Sequence, residues 1–133
     1  MMFDTDVLIW YSRGDRLATD LIESCAERAI SIVSYMEIIQ GARSKAEMRA
    51  IQRTLRSLQF HMIPVDEPVS YLALDLIEEH ALGDGLEILD ALIAASARHA
   101  GEELATGNIR HFRQVPQLAL RKFRPASETG PVR

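Results

Sequence analysis

An α/β fold built from parallel βαβ units follows from three observations on the sequence. Short apolar runs alternate with amphipathic stretches along the whole chain. The runs around Ala29–Val33 and Glu103–Thr106 have the continuous apolar or β-branched character of buried strands. Three acidic residues, Asp4, Glu37 and Asp90, stand where apolar runs begin or end. In such folds strand ends gather at one sheet edge, where ligands bind.

The elements follow in order. Met1–Asp4 predicts a very short first strand. Val7–Tyr11 opens a helix that is interrupted near Ser12-Arg13-Gly14. Asp15–Glu27 is expected to be helical, with Leu17, Leu21 and Ile22 at helical spacing, and Ala29–Val33 is the next strand. Ser34 then serves as N-cap of a helix over Tyr35–Arg43. Ala46–Leu58 forms a further helix, with Met48, Ile51, Leu55 and Leu58 on one face and Arg49, Arg53 and Arg56 on another. His61–Val65 is a strand whose Pro64 places it at an edge. Pro68 starts a helix that runs to about Leu82, as suits proline in a first turn. Gly83-Asp84-Gly85 is a loop, Glu87–Ala100 a helix ending near Gly101, and Glu103–Thr106 a buried strand followed by the turn Gly107-Asn108. Leu118–Phe123 supplies a last strand. No repeat, second core or long linker interrupts this order, so residues 1–124 make one domain and 125–133 a loose C-terminal tail.

Composition narrows the function classes. A chain of 133 residues can bury a core without staples, and its 47% hydrophobic and 26% charged residues are ordinary for a globular domain. The single Cys25 excludes an internal disulfide framework and sits in a helical stretch as a packed thiol. No run approaches the roughly 18 apolar residues of a membrane span. The N-terminus lacks the pattern of a signal peptide, and a cytoplasmic location is expected. Net charge is −4, unevenly spread. Residues 1–97 carry 8 Lys/Arg against 16 Asp/Glu, whereas residues 98–133 carry 7 against 3. A polyanion could therefore meet a basic end and an acidic centre in one molecule, although a solvated tail gives the same composition.

Each acid has a structural reading beside a functional one. Asp4, in Phe3-Asp4-Thr5-Asp6, is a good N-cap, yet one such residue would suffice there. Ser34-Tyr35-Met36-Glu37 matches a capping box, which competes with metal chemistry for the Glu37 carboxylate. Asp90 suits a helix N-terminus on charge grounds alone, a contribution of about 0.3–1 kcal/mol. Carboxylates gathered at one sheet edge repel unless a cation or shared protons offset them, so their combination points to a metal-dependent site. Thr106 and Asn108 flank Gly107, where glycine permits either a close backbone approach or a left-handed turn, and can bind a phosphate oxygen or metal-bound water. His61, His80, His99 and His111 show no paired ligand spacing, so a zinc site is not expected.

Four stretches together resemble the PIN-domain ribonucleases, specifically VapC-type toxins of toxin–antitoxin modules. They are Phe3-Asp4-Thr5-Asp6-Val7-Leu8-Ile9, Ser34-Tyr35-Met36-Glu37-Ile38-Ile39-Gln40-Gly41, Leu89-Asp90-Ala91-Leu92-Ile93-Ala94-Ala95 and Ala105-Thr106-Gly107-Asn108-Ile109-Arg110-His111-Phe112. The match runs from residue 1 to about 123. The resemblance implies a three-layer α/β/α sandwich around a five-stranded parallel sheet. It also implies Mg²⁺- or Mn²⁺-dependent endonucleolytic cleavage of RNA, a homodimer or higher toxin–antitoxin assembly, and inhibition by a cognate antitoxin. Carried over, Asp4, Asp90 and Glu37 hold the metal, Glu37 also positions or deprotonates the attacking water, and Thr106 and Asn108 orient it. Asp6, Arg98, Arg110, His111 and Arg113 contact the substrate. Trp10, Tyr11, the Ile38-Ile39 helix and the helix Ala46–Leu58 are candidate lining for a groove that takes an antitoxin helix.

Two departures from the family pattern concern charge. The family often has an aspartate at or near the turn after the fourth strand, where this chain has Asn108 and, three residues on, His111. Asp6 stands where Ser or Asn is frequent. Two other readings use the same residues. Phe3-Asp4-Thr5-Asp6, Ser34 and Gly83-Asp84-Gly85 resemble the motifs of a haloacid-dehalogenase-type phosphatase, but Leu74–Leu82 has helical spacing and a phosphate-binding lysine lacks a candidate. A non-catalytic PIN-like module that binds RNA or protein is the other.

Overall fold

Period-two burial organises the sheet. In the computed structural model, which describes residues 1–126, β1 (Met2–Phe3) lies between β2 (Ala29–Ser31) and β4 (Leu104–Thr106). The outer positions belong to β3 (His61–Ile63) and β5 (Leu120–Lys122), giving the order β3-β2-β1-β4-β5 with every pairing parallel. Met2 pairs with Ala29 on one side and Leu104 on the other. Successive residues point to opposite faces. Accordingly Met2, Ala29 and Leu104 join one buried cluster, while Phe3, Ile30 and Ala105 join a second.

Helices cover both faces. The first cluster includes Val33 of α3 (Ile32–Gln40), Val69, Ala73 and Leu76 of α5 (Glu67–Asp84), and Ile93, Ala94 and Ala97 of α6 (Ile88–Ala100). The second includes Val7 and Leu8 of α1 (Thr5–Ser12) and Ala18 and Ile22 of α2 (Arg16–Glu23). The small residues of α6 let it lie close to the sheet, and Ala91 through Ala97 are buried apart from Leu92. The remaining helices are α4 (Lys45–Ser57), with no fully buried residue, and the single turn α7 (Ile109–Phe112). The expected three-layer α/β/α sandwich with a five-stranded parallel sheet is therefore present.

The strand order has a functional consequence. The chain builds outward from β1 through β2 to β3, then returns to the other side of β1 for β4 and β5. The reversal falls between β1 and β4. At such a switch point the flanking connections leave in opposite directions and open a crevice at the carboxyl ends of the strands. Asp4 follows β1 there, and Thr106 ends β4 beside it.

Several boundaries differ from expectation. The strand 29–33 ends at Ser31, which itself caps α3: its Oγ accepts the Val33 N–H at 3.1 Å. Ser34 is thus inside the helix and is not its N-cap, so Glu37 is not the acid of a capping box. A β-branched pair enters a helix here because Val33 packs into the core, and tertiary packing outweighs propensity. Thr5 already belongs to α1, two residues before the expected start. The helix expected over 15–27 stops at Glu23, after which Arg28 donates to the carbonyls of Ile22, Glu23 and Leu58. Gly83 and Asp84 are the last turn of α5, where Asp84 lies 2.7 Å from His80. Only Gly85, at φ +70°, is the left-handed cap. That removes the metal-loop reading of Gly83-Asp84-Gly85. His61–Ile63 is an edge strand, with Pro64 just beyond it. Of the expected tail, Pro125 is buried and residues 127–133 lie outside those described. Among the described residues, no helix is long and apolar enough to cross a membrane.

Candidate active site

Asp4 is the inner wall of the crevice. It leaves β1 in extended conformation and caps α1, with only 5% of its surface exposed. One carboxylate oxygen accepts the Thr5 N–H at 2.8 Å, and the other accepts the Thr106 hydroxyl at 2.8 Å. Thr106 is itself fully buried, and its Oγ1 accepts the Asn108 N–H at 2.9 Å. A hydrogen-bonded relay thus runs from the turn after β4 to the end of β1. Burial pushes the Asp4 carboxyl up, and the nearby Glu37 adds to this. The bonds from Thr106 and Thr5 pull it back, as does the charge of His111.

Asp6 ties the same two segments together. Its Oδ2 accepts the Gly107 N–H at 2.8 Å and its Oδ1 accepts the Val7 N–H at 2.8 Å. A Cβ on residue 107 would meet Asp6 Oδ2 at 2.6 Å, so only glycine permits the approach. Burial, and next the charge of Asp4, push Asp6 up to about 6.

Glu37 and Asp90 close the crevice from two helices. Glu37 lies half-buried on α3, where its Oε1 accepts the Thr5 hydroxyl at 2.7 Å. Asp90 is in the first turn of α6, with its Oδ2 3.1 Å from His111 Nδ1. Burial raises the Asp90 carboxyl, His111 opposes this, and Asp4, Glu87 and Glu37 raise it further. Along this edge Thr5 bonds both Asp4 and Glu37, and Asp90 faces His111, so these groups border one crevice. α7 holds His111 there because the adjoining Phe112 is fully buried.

The other site expectations separate cleanly. Arg98 lies two turns along α6 from Asp90, about 12 Å by helical rise, and donates to Gln117 Oε1 at 3.0 Å. It is therefore outside the cluster. Arg110 and Arg113 are exposed on α7 and at its C-cap, beside His111. Asn108 contributes through its backbone, and its side chain makes no capping bond. Thr5 was not among the expected site residues. The signal for it was its place between two aspartates at a strand end, which leaves its hydroxyl free to bridge to another element.

Among the described residues, no three His, Cys, Asp or Glu side chains converge closely enough to enclose an ion alone. Both Asp4 oxygens and one Glu37 oxygen already accept hydrogen bonds. Four carboxylates nonetheless share one edge, three of them raised by burial and repulsion, with a single histidine opposite. This oxygen-rich set fits a hard cation of the Mg²⁺ type, which usually keeps several waters and takes one or two carboxylates plus substrate phosphate.

The PIN domain family model matches residues 1–118. The chain belongs to the PIN-domain family. It is 36% identical to Ribonuclease VapC10 of Mycobacterium tuberculosis over 122 residues, covering 89% of this chain and 90% of that protein. Ribonuclease VapC19 of the same organism is 27% identical over 88% of this chain and 95% of its own length. Among solved structures, a toxin–antitoxin complex from Klebsiella pneumoniae superposes with TM-score 0.72 at 30% identity, covering 89% of this PIN domain's chain and 94% of that one. VapBC2 from Rickettsia felis bound to a promoter DNA fragment has TM-score 0.76 at 21% identity, covering 92% and 98%. The latter match concerns the fold. In this PIN domain Asp4, Glu37 and Asp90 border the crevice at the switch point, with His111 facing Asp90.

Proposed function

We propose that this chain is a metal-dependent endoribonuclease and the toxin of a toxin–antitoxin pair, with residues 1–124 as its PIN domain. The observation that carries the reading is that Asp4, Glu37 and Asp90 border one crevice at the sheet's switch point. The identity to Ribonuclease VapC10 over nine-tenths of both chains supports the same activity. RNA is a polyanion, and an unrelieved cluster of carboxylates would repel it. A divalent cation is thus required on electrostatic grounds, Mg²⁺ or Mn²⁺ being the ions suited to oxygen donors.

Asp4 and Asp90 are the residues that hold the cation. When bound, it supplies charge compensation at the phosphorus and makes the attacking water more acidic. Thr106 favours the charged form of Asp4 by donating to it. Glu37 keeps Oε2 for the attacking water, because Oε1 is engaged by Thr5. It orients that water and takes its proton as the new P–O bond forms, while the P–O bond to the leaving ribose oxygen breaks and that oxygen takes a proton from solvent water. Arg110 and Arg113 hold the RNA backbone. Asp6 fixes the Gly107 turn and so the position of Thr106.

A partner surface lies next to this site. A groove of about 720 Å³ is walled by Leu8, Ile9, Ile38, Ile51 and Leu55 and bordered by Glu37 and Arg43. An amphipathic antitoxin helix fits such a trough with its apolar face, and its polar end would reach Glu37. The Klebsiella pneumoniae neighbour is itself a toxin–antitoxin complex. Exposed Tyr71, Leu74, Leu82, Ile88 and Leu89 on α5 and α6 support a homodimer through the opposite layer. The decisive experiment measures RNA cleavage with and without divalent cation. Asp4→Asn and Asp90→Asn should lose it while keeping the native fold by circular dichroism; full activity in either variant would falsify the assignment.

A further inference from the structure

His111 stands where a surface cation would be unremarkable, yet its ring is held against the acidic cluster by the core. Phe112, the next residue, is fully buried. The α7 turn is closed by Arg113 N–H to the Ile109 carbonyl at 2.9 Å and His111 N–H to the Asn108 carbonyl at 3.0 Å. The ring therefore rests on a fixed backbone. Its Nδ1 is 3.1 Å from Asp90 Oδ2. Two donors bound to one ion at about 2.1–2.2 Å in adjacent positions are themselves about 3 Å apart. The observed separation suits that arrangement as well as it suits a hydrogen bond. The side chain of His111 is 57% exposed, so an ion reaches this edge from solvent without rearrangement.

We propose that His111 Nδ1 and Asp90 Oδ2 form a nitrogen–oxygen edge for the active-site cation, which makes this protein take Mn²⁺ in preference to Mg²⁺. The inference rests on the reading above that the carboxylates hold a divalent ion. Mg²⁺ is hard and favours oxygen, whereas imidazole suits ions later in the first transition row, and Mn²⁺ accepts both donor types. Asp4 lies at the same edge, since it is bonded to Thr106, which in turn accepts the N–H of Asn108 at the start of α7. Two side-chain donors at the edge leave the other positions to water and phosphate oxygen. That agrees with the lack of a three-residue cage among the described residues.

The test is pulsed electron paramagnetic resonance of Mn²⁺ bound to the full chain, together with calorimetric titration of Mn²⁺ and Mg²⁺. The expected spectrum contains a nitrogen coupling from directly bonded imidazole, absent in His111→Ala and His111→Asp. Loss of residues that merely support ligands costs about 10–100-fold in metal affinity. The ratio of Mn²⁺ to Mg²⁺ affinity should therefore fall roughly ten-fold or more in His111→Asp. Mn²⁺ that binds in an Asp90-dependent way but shows no nitrogen coupling overturns the His111 assignment and leaves the metallonuclease reading standing. Absence of Mn²⁺ binding, with or without a non-cleavable RNA analogue, overturns both.

Discussion

Asp6 Oδ2 accepts the backbone N–H of Gly107 at 2.8 Å, and the contact leaves no room for a Cβ on residue 107. Two chain segments about a hundred residues apart are thereby clamped at the mouth of the crevice. The clamp predicts that Gly107→Ala is destabilising, by about 1–3 kcal/mol in chemical denaturation, because the methyl must displace the carboxylate and break the bond. Asp6→Ala removes the obstacle. The double variant should then be less destabilised than the sum of the two singles, a coupling that denaturation of all three resolves. Strict additivity would mean that the two residues do not meet.

The relay from Thr106 to Asp4 makes a second prediction. Thr106→Val keeps the shape of a fully buried side chain but removes the donor at 2.8 Å from Asp4 Oδ2 and the acceptor for Asn108 N–H. Leaving buried polar groups unpaired costs roughly 1–3 kcal/mol. The Asp4 carboxyl should rise further and divalent-cation affinity should fall, whereas Thr106→Ser should preserve both. Calorimetric cation titration of the two variants separates these outcomes.

Sequence patterning carries the architecture well and the site only partly, for identifiable reasons. Alternation of short apolar runs with helical stretches is a local property, so the parallel sheet and the edge position of His61–Ile63 were legible. The Ser31 cap was not, because Ile32 and Val33 have strand propensity and only the core contact of Val33 draws them into α3. The same shift replaces the expected capping box at Glu37 with a bond from Thr5, a residue on another element. Long-range partners of this kind have no spacing rule. Arg98 shows the converse: a basic residue near Asp90 in sequence lies two turns away on the helix and is engaged by Gln117. His111 and Asp90 were both candidates in the sequence, but their pairing was not legible, since α7 sets the direction of His111.

Stability of the cation-free protein should depend on pH with a definite sign. Asp6 is raised from 3.8 to about 6, and Asp4 and Asp90 are raised as well, chiefly by burial. The folded state thus binds protons more tightly than the unfolded chain. The stabilisation is fully present below about pH 4 and is lost as pH rises through about 6, on the order of 2–3 kcal/mol for Asp6. Differential scanning calorimetry without divalent ions should show this contribution lowering Tm between about pH 4 and pH 6.5. Saturating Mn²⁺ should raise Tm more at about pH 7.5 than at pH 5, because it binds the ionised cluster. Equal Tm increments at both values would refute the linkage.

The basic residues divide by position. Arg110 and Arg113 are exposed beside His111, whereas Arg98 is held by Gln117 away from the acidic cluster. Each phosphate contact adds about one to the dependence of log affinity on log salt. Arg110→Ala and Arg113→Ala should each lower that slope by about one in RNA-binding titrations with a cleavage-inactive Asp4→Asn chain. Arg98→Ala should leave the slope unchanged. A lower slope for Arg98→Ala would place the RNA path along the far end of α6.

The Thr5–Glu37 bond gives the sharpest separation of chemistry from folding. Thr5 Oγ1 donates to Glu37 Oε1 at 2.7 Å across the junction of α1 and α3. Glu37 is only half-buried and its carboxylate has no other hydrogen bond among the described residues, so this bond sets which way its free oxygen points. A general base must lie within about 2.6–3.2 Å of the proton it takes, and its contribution is typically 10²–10⁴-fold. Thr5→Val preserves size and branching, removes the donor, and leaves the Thr5 N–H bond to Asp4 intact. Cleavage kcat should fall about 10–100-fold with KM for RNA and Tm nearly unchanged, as expected when a base is misplaced and the fold is kept. Thr5→Ser should restore the rate. The Thr5→Val effect should also vanish in a Glu37→Gln background, since a base that is already absent cannot be misaligned. If Thr5→Val slows that background equally, Thr5 acts through Asp4 and not through Glu37.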